Sequence, residues 1–342
     1  MRVAVYYSNS DIRVEEKPVP DIGPGELLMK IEASGICGSD VLEWYRIHKA
    51  PLVLGHEVAG EVVKVGEGVQ KFKEGDRIVA AHHVPCNTCS YCLTGHHTAC
   101  ETLRRTNFDP GGFAEYVRIP SLNVDRGTFR IPRELSDELA TFHEPIGCAL
   151  RAYRMARWHT GACVLVLGSG IAGQLLVHTA KALGAGKILA VDIVPFRLEM
   201  AKNSGADEAV LPSEDLPACL RNLNSGRLAD LVFVSTGAQQ AHIQALECVE
   251  RGGTVLFFAL TDPEFRLPVS INNLFVRNDI TLTTSYGASP LDSWQALELM
   301  RASRVDVTGM ITHRLPLEET GLGFQLVTEA KESMKVIIKP QK

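Results

Sequence analysis

The segment "CVLVLGSGIAGQLLVHTAKAL" runs five apolar residues, Cys163–Leu167, directly into Gly168-Ser169-Gly170-Ile171-Ala172-Gly173 and then into a helical pattern over Ile171–Leu183. A buried strand, a glycine turn and a helix in immediate succession leave few folds open. Gly168 permits a tight turn, Gly170 keeps the backbone open to an approaching anion, and Gly173 lets helix and strand pack closely. The N–H groups of the first helical turn, around Ile171 and Ala172, would then face that anion.

Five more apolar runs keep the same rhythm: "KILAVD", "EAVL", "DLVFVSTG", "TVLFFAL" and "ITLTTSYG", with a further helical pattern over Pro195–Asn203. Strands alternating with crossover helices make a doubly wound parallel sheet, so residues 149–289 are expected to form an α/β dinucleotide-binding domain. Asp192 ends the second strand, where a carboxylate can accept hydrogen bonds from an adenosine ribose. The expected cofactor is NAD. A 2′-phosphate would meet the charge of Asp192, and Ile193, Val194 and Pro195 offer no offsetting cation. Arg197 is either a ribose contact or a solvated helix arginine, and Thr236, at the end of "VFVST", is a further candidate for cofactor binding.

A chain of 342 residues exceeds what one core usually supports, so a second domain is expected. Residues 1–148 carry short alternating strands, "RVAVYY", "ELLMKIEASG", "GEVVKVG" and "RIVAAHHV", between Gly, Pro and Asp turns, which suggests a β-rich unit. After Ser289 come a helical pattern over Leu291–Ala302 and a β-like tail, so residues 290–342 are expected to complete that unit. With 45% apolar residues, 22% charged and a net charge of −5, there is no basic excess for nucleic acid. No apolar stretch suits an export signal or a membrane span, and the nine cysteines suit a reducing compartment, the cytoplasm.

Four of those cysteines, Cys86, Cys89, Cys92 and Cys100, stand at the spacing C-x₂-C-x₂-C-x₇-C in "PCNTCSYCLTGHHTAC". Tetrahedral zinc accepts four thiolates from one wrapping loop, and a site so filled has no position for a substrate, so this cluster is expected to be structural. A disulfide set or a redox pair is the rival reading. A catalytic zinc needs fewer protein ligands. Cys37 in "GICGSD" with His56 and Glu57 in "GHE" supply them, with Asp40 placed to orient His56 and Glu144 in "FHEPIGCAL" either a further ligand or a helix-start carboxylate.

In combination, "GICGSD", "LGHEVAGEVVKVG", "FKEGDRIV", the four-cysteine loop, "GGFAEYV", "EPIGCAL", "VLGSGIAG" and "THRLPLE" resemble the zinc-dependent medium-chain alcohol dehydrogenases, especially their sorbitol and threonine dehydrogenase branch. The resemblance runs nearly end to end. It implies a GroES-like catalytic domain built from both chain ends, a Rossmann domain between them, and a homotetramer. It also implies that Ser39 relays the alcohol proton, that Lys335 faces the cofactor pyrophosphate, and that His83 and Tyr286 lie near the substrate. Leu42 replaces the relay histidine of many relatives, with His48 the nearest titratable substitute in sequence, and Ser285 stands where sorbitol dehydrogenases have an arginine. The implied reaction is reversible oxidation of a secondary alcohol, polyol, cyclitol, amino alcohol or diol, by NAD with two zinc ions per chain. Two readings remain beside it: an enoyl or quinone reductase of the same fold, which typically lacks the zinc ligands, and a non-enzymatic zinc-binding module, which leaves the dinucleotide motif idle.

Overall fold

The computed structural model describes residues 1–212 and 215–342. The chain forms two compact units, Met1–Gly147 with Gly287–Lys342, and Cys148–Tyr286.

In the unit Cys148–Tyr286 the described residues form one six-stranded parallel sheet. Its spatial order is Glu208–Val210, Lys187–Val191, Cys163–Leu167, Ala229–Val234, Val249–Phe257 and Thr281–Thr284. Every residue of Cys163–Leu167 is buried, as expected of a central strand covered on both faces. The chain builds outward from that strand in one direction and then returns to its other side. The reversal point therefore lies at the carboxyl ends of Cys163–Leu167 and Ala229–Val234, where open α/β sheets bind ligands. Gly168 follows the first of these strands, and Ser235 and Thr236 follow the second. Helix Ile171–Leu183 starts at Gly170 and stops at Gly184, whose left-handed φ of 87° a side chain would resist.

In the other unit a seven-stranded sheet runs Ile311–Pro316, Lys335–Lys339, Leu27–Gly35, Glu57–Val65, Arg77–Ala80 and Thr128–Arg130, with Tyr116–Ile119 also paired to Leu27–Gly35. Strand Leu27–Gly35 is the organiser. Its last residue, Gly35, is opposite Glu57 on one side and Ile337 on the other. Cys37, the His56-Glu57 pair and Lys335 are thus brought to one end of three adjacent strands. Strand Arg77–Ala80 stops just before His82 and His83, which emerge beside the same end. The core beneath consists of Leu27, Met29, Ile31, Val58, Val62 and Ile78 with their neighbours, each essentially inaccessible, and burying such side chains contributes about 1.5–3 kcal/mol apiece.

Candidate active site

Cys37, His56 and Glu57 each offer a ligand atom within 4.8 Å of the others, and no other acid joins this group among the described residues. The donor chemistry of thiolate, imidazole and carboxylate fits zinc, and three protein ligands leave a coordination position open. His56 Nδ1 lies 3.4 Å from Asp40 Oδ1, an arrangement that leaves the other ring nitrogen for a metal. Asp40 is fully buried. Its Oδ2 accepts from the Cys37 backbone N–H at 3.1 Å. Burial opposes its charge, yet His56, Arg46 and that N–H hold its pKa below the ordinary carboxylate value. Burial also opposes a charge on His56, but the Asp40 carboxylate and Cys37 thiol raise its pKa well above the usual histidine value.

Beside the three donors Lys335 is 1% exposed; its Nζ contacts the Glu57 carboxylate and donates to the Ile36 carbonyl at 3.2 Å. The resemblance implies that Lys335 faces the cofactor pyrophosphate; here its amine is held inside the strand-end cluster. Gly35 makes room for the pair: a Cβ there would stand 2.1 Å from Glu57 Oε2 and 2.7 Å from Lys335 Cε. Glu144 falls outside the three-donor group. It lies in the first turn of helix His143–Met155, only 9% exposed.

Ser39 Oγ donates to Cys37 Sγ at 3.4 Å, so it stands beside the three-donor group. The group hydrogen-bonded to Ser39 is an arginine. Arg46 Nη2 donates to Ser39 Oγ at 3.0 Å and Nε to the Ser39 carbonyl at 2.9 Å, whereas His48 is exposed one turn later. The His82 ring packs 4.7 Å from that of His56 and 3.9 Å from that of His83, centroid to centroid. Burial lowers the pKa of His83 to about 4, opposed by its contact with the Thr106 carbonyl at 2.7 Å and assisted by the charges of His56, Lys49 and Arg46. His82 is likewise pushed well below its usual value, by burial first. Tyr286 is half-exposed at the end of the other unit.

The second cluster gathers Cys86, Cys89, Cys92 and Cys100, with Sγ–Sγ separations of 3.9 Å for Cys86–Cys92 and 3.5 Å for Cys89–Cys92. Four sulfurs at about 2.3 Å from one ion would stand about 3.8 Å apart, so the cluster fits a tetrahedral metal. Backbone N–H groups of Cys89 and Thr88 point at Cys86 Sγ, at 3.2 and 3.4 Å. Hydrogen bonds from Thr88, and then from Cys89, lower the Cys86 pKa to about 5, whereas burial pushes Cys92 up to about 12. None of Cys86, Cys89, Cys92 and Cys100 forms a disulfide among the described residues, so the disulfide alternative finds no support.

At the reversal point of the parallel sheet, Gly168 has φ 90°, and a Cβ on Gly173 would meet the Gly168 carbonyl at 1.9 Å. A Cβ on Gly170 would touch only Arg197, at 3.9 Å. The two outer glycines are thus required by packing, while the middle one faces open space of the kind a pyrophosphate needs. Asp192 Oδ2 accepts from Ser169 N at 2.7 Å and Oδ1 from Val194 N at 2.9 Å, with Arg197 Nη1 3.6 Å from Oδ2. Thr236 lies against Gly168, and its Oγ1 accepts from the Ala238 N–H at 3.3 Å.

Residues 23–128 match the family model of the alcohol dehydrogenase GroES-like domain, and residues 172–302 that of the zinc-binding dehydrogenases. L-threonine 3-dehydrogenase of Bacillus licheniformis is 34% identical over 332 residues, covering 94% of this chain and 93% of that protein. The chain belongs to the zinc-dependent medium-chain alcohol dehydrogenase family. Within this dehydrogenase family, sorbitol dehydrogenase of Bacillus subtilis is 31% identical, over 100% of this chain and 98% of that protein. A zinc-binding dehydrogenase from Sinorhizobium meliloti, solved with NADP, superposes with a TM-score of 0.86 at 26% identity, each chain being 99% covered. Relative to the expectation for this dehydrogenase, sequence reasoning missed Arg46 and His82. The first carries no motif, and for the second the only signal was its place beside His83.

Proposed function

We propose that the protein reversibly oxidises a secondary alcohol to a ketone, with NAD as hydride acceptor and two zinc ions per chain. The observation that carries this reading is the three-donor group Cys37, His56 and Glu57 with Ser39 beside it, in a chain that also presents a phosphate-cradling glycine turn. Zinc held by the three residues would make a substrate hydroxyl easier to deprotonate, and the nicotinamide would take the hydride. The remaining work falls to side chains. Asp40 fixes the orientation of His56, and Lys335 balances the charge of Glu57 in the interior. Ser39 passes the alcohol proton outward. Arg46 cannot accept it, because a guanidinium keeps its own proton. Glu144, buried at the start of its helix, is the second carboxylate the family resemblance offers this zinc, and His83, in the same unit as the three donors, would face the substrate.

The four-cysteine site holds the other zinc and braces its loop. Asp192, with both carboxylate oxygens tied to backbone N–H groups, supports NAD over NADP, since its charge would repel a 2′-phosphate. The names of the threonine and sorbitol relatives favour a polar substrate: a polyol, cyclitol, amino alcohol or diol. A homotetramer acting in the cytoplasm, free of nucleic acid and membrane, completes the reading. No helix among the described residues is long and apolar enough to cross a membrane. The test is reduced-cofactor absorbance across a panel of such alcohols with NAD⁺ and with NADP⁺, together with metal analysis. Turnover with zinc at two per chain is the expected result, and an enzyme that reduces quinones or enones but oxidises no alcohol would overturn it.

A further inference from the structure

The residue hydrogen-bonded to Ser39 is a cation, and its guanidinium is incompletely used. Nε and Nη2 serve Ser39, at 2.9 and 3.0 Å, and Nη2 reaches Asp40 Oδ1 only at 3.5 Å. Asp40 is itself divided between the Cys37 N–H and His56, so it offsets the Arg46 charge only in part. Nη1 has no partner among the described residues, and the side chain is 15% exposed. The nearest acid on the same short helix, Glu43, is turned away to the Asn9 N–H at 3.1 Å. Lys49 adds a second positive charge: its Nζ lies 5.7 Å from the Tyr45 ring that Arg46 covers at 4.8 Å. The side chain of Leu42, where the resemblance puts a histidine in many relatives, contributes neither charge nor a hydrogen bond here.

A cation one hydrogen bond from the hydroxyl beside the metal ligands, with a free donor edge and a lysine next to it, is arranged to receive an anion. We infer that the substrate is a secondary alcohol bearing a carboxylate or phosphate a few atoms from the reacting hydroxyl, and that Arg46 binds that group through its Nη1 edge. This rests on the dehydrogenase reading and narrows its substrate class. A charge-assisted, partly desolvated guanidinium contact supports a preference of roughly 10²-fold for the anionic member of a matched pair.

The experiment uses the zinc-loaded enzyme with NAD⁺ and two pairs, 3-hydroxybutyrate against 3-hydroxybutyramide and galactitol 1-phosphate against galactitol. A higher kcat/KM for the anion in the first pair assigns a carboxylate, and in the second a phosphate. Arg46→Gln retains a donor for Ser39 but no charge. It should bring the anion-to-neutral ratio down towards one, mainly by raising KM for the anion, whereas a merely structural role would lower both members alike. Calorimetric binding of 3-hydroxy-3-methylbutyrate, which cannot be oxidised, against its amide reads the same preference without turnover. Equal kcat/KM within both pairs and equal binding, or a preference retained in Arg46→Gln, would overturn the inference while leaving the alcohol dehydrogenase reading intact. Failure to oxidise any alcohol would instead strike that reading, and the binding comparison would still decide the role of Arg46.

Discussion

Replacing Lys335 by Met removes the only cation that touches the Glu57 carboxylate among the described residues. Both side chains are 1% exposed; the amine also donates to the Ile36 carbonyl at 3.2 Å and lies 5.6 Å from the centre of the Phe142 ring. Methionine matches the length of the lysine stem, so the loss is mainly one of charge. Leaving a buried carboxylate uncompensated costs about 3–5 kcal/mol. At about 2–4 °C per kcal/mol for a unit of this size, the melting midpoint should fall by roughly 6–20 °C. Zinc at the three-donor site would give Glu57 a second positive partner, so zinc should raise the midpoint of Lys335→Met by more than it raises that of the wild type. The assay is circular-dichroism melting of both proteins after mild chelation and again after zinc is restored. Adding Glu57→Gln to the variant removes the buried charge and should recover much of the loss in the chelated protein. A fall smaller than about 2 °C after chelation, or equal zinc-induced shifts in the two proteins, would refute the reasoning.

Three further outcomes are expected. Metal analysis should find two zincs per chain, with chelation abolishing activity before it unfolds the protein, because one site is closed by four sulfurs and the other keeps an exchangeable position; a single zinc would contradict this. Asp192→Ser combined with Ile193→Arg should shift preference toward NADP⁺ by roughly 10²-fold or more in the kcat/KM ratio, since it removes a repulsion and adds an attraction; a wild type that already prefers NADP⁺ would defeat the premise. Burial, helped by the charge of Asp230, pushes the Cys163 thiol up to about 12. Its folded pKa lies above its unfolded one, so the associated stability is whole below about pH 8.5 and is lost as pH rises toward 12. Denaturant melts should show about 1–2 kcal/mol of that loss by pH 10, reduced in Cys163→Ala; an identical alkaline limb in the variant would exclude this thiol as its source.

What the sequence alone determined was local. The glycine turn at Gly168–Gly173, the acid at Asp192, the four-cysteine loop and the adjacent His56-Glu57 pair are short-range patterns whose spacing already expresses the chemistry. The alternation of strand and helix runs likewise makes the parallel sheet legible, because a buried strand must be apolar throughout. The tertiary structure decided what depends on strands meeting at distance. Nothing in the sequence around Lys335 points to Glu57, yet pairing of Lys335–Lys339 with Leu27–Gly35 buries its amine against that carboxylate, 278 positions away. Arg46 belongs to no motif and reads as one more surface arginine. It gains its position because the turn after Cys37 folds back and presents Ser39 to a helix only four residues long, Glu43–Arg46. A charge in a linear sequence has no partner until folding removes the water around it, and which partner it then finds is set by register and burial, neither of which the residue type records.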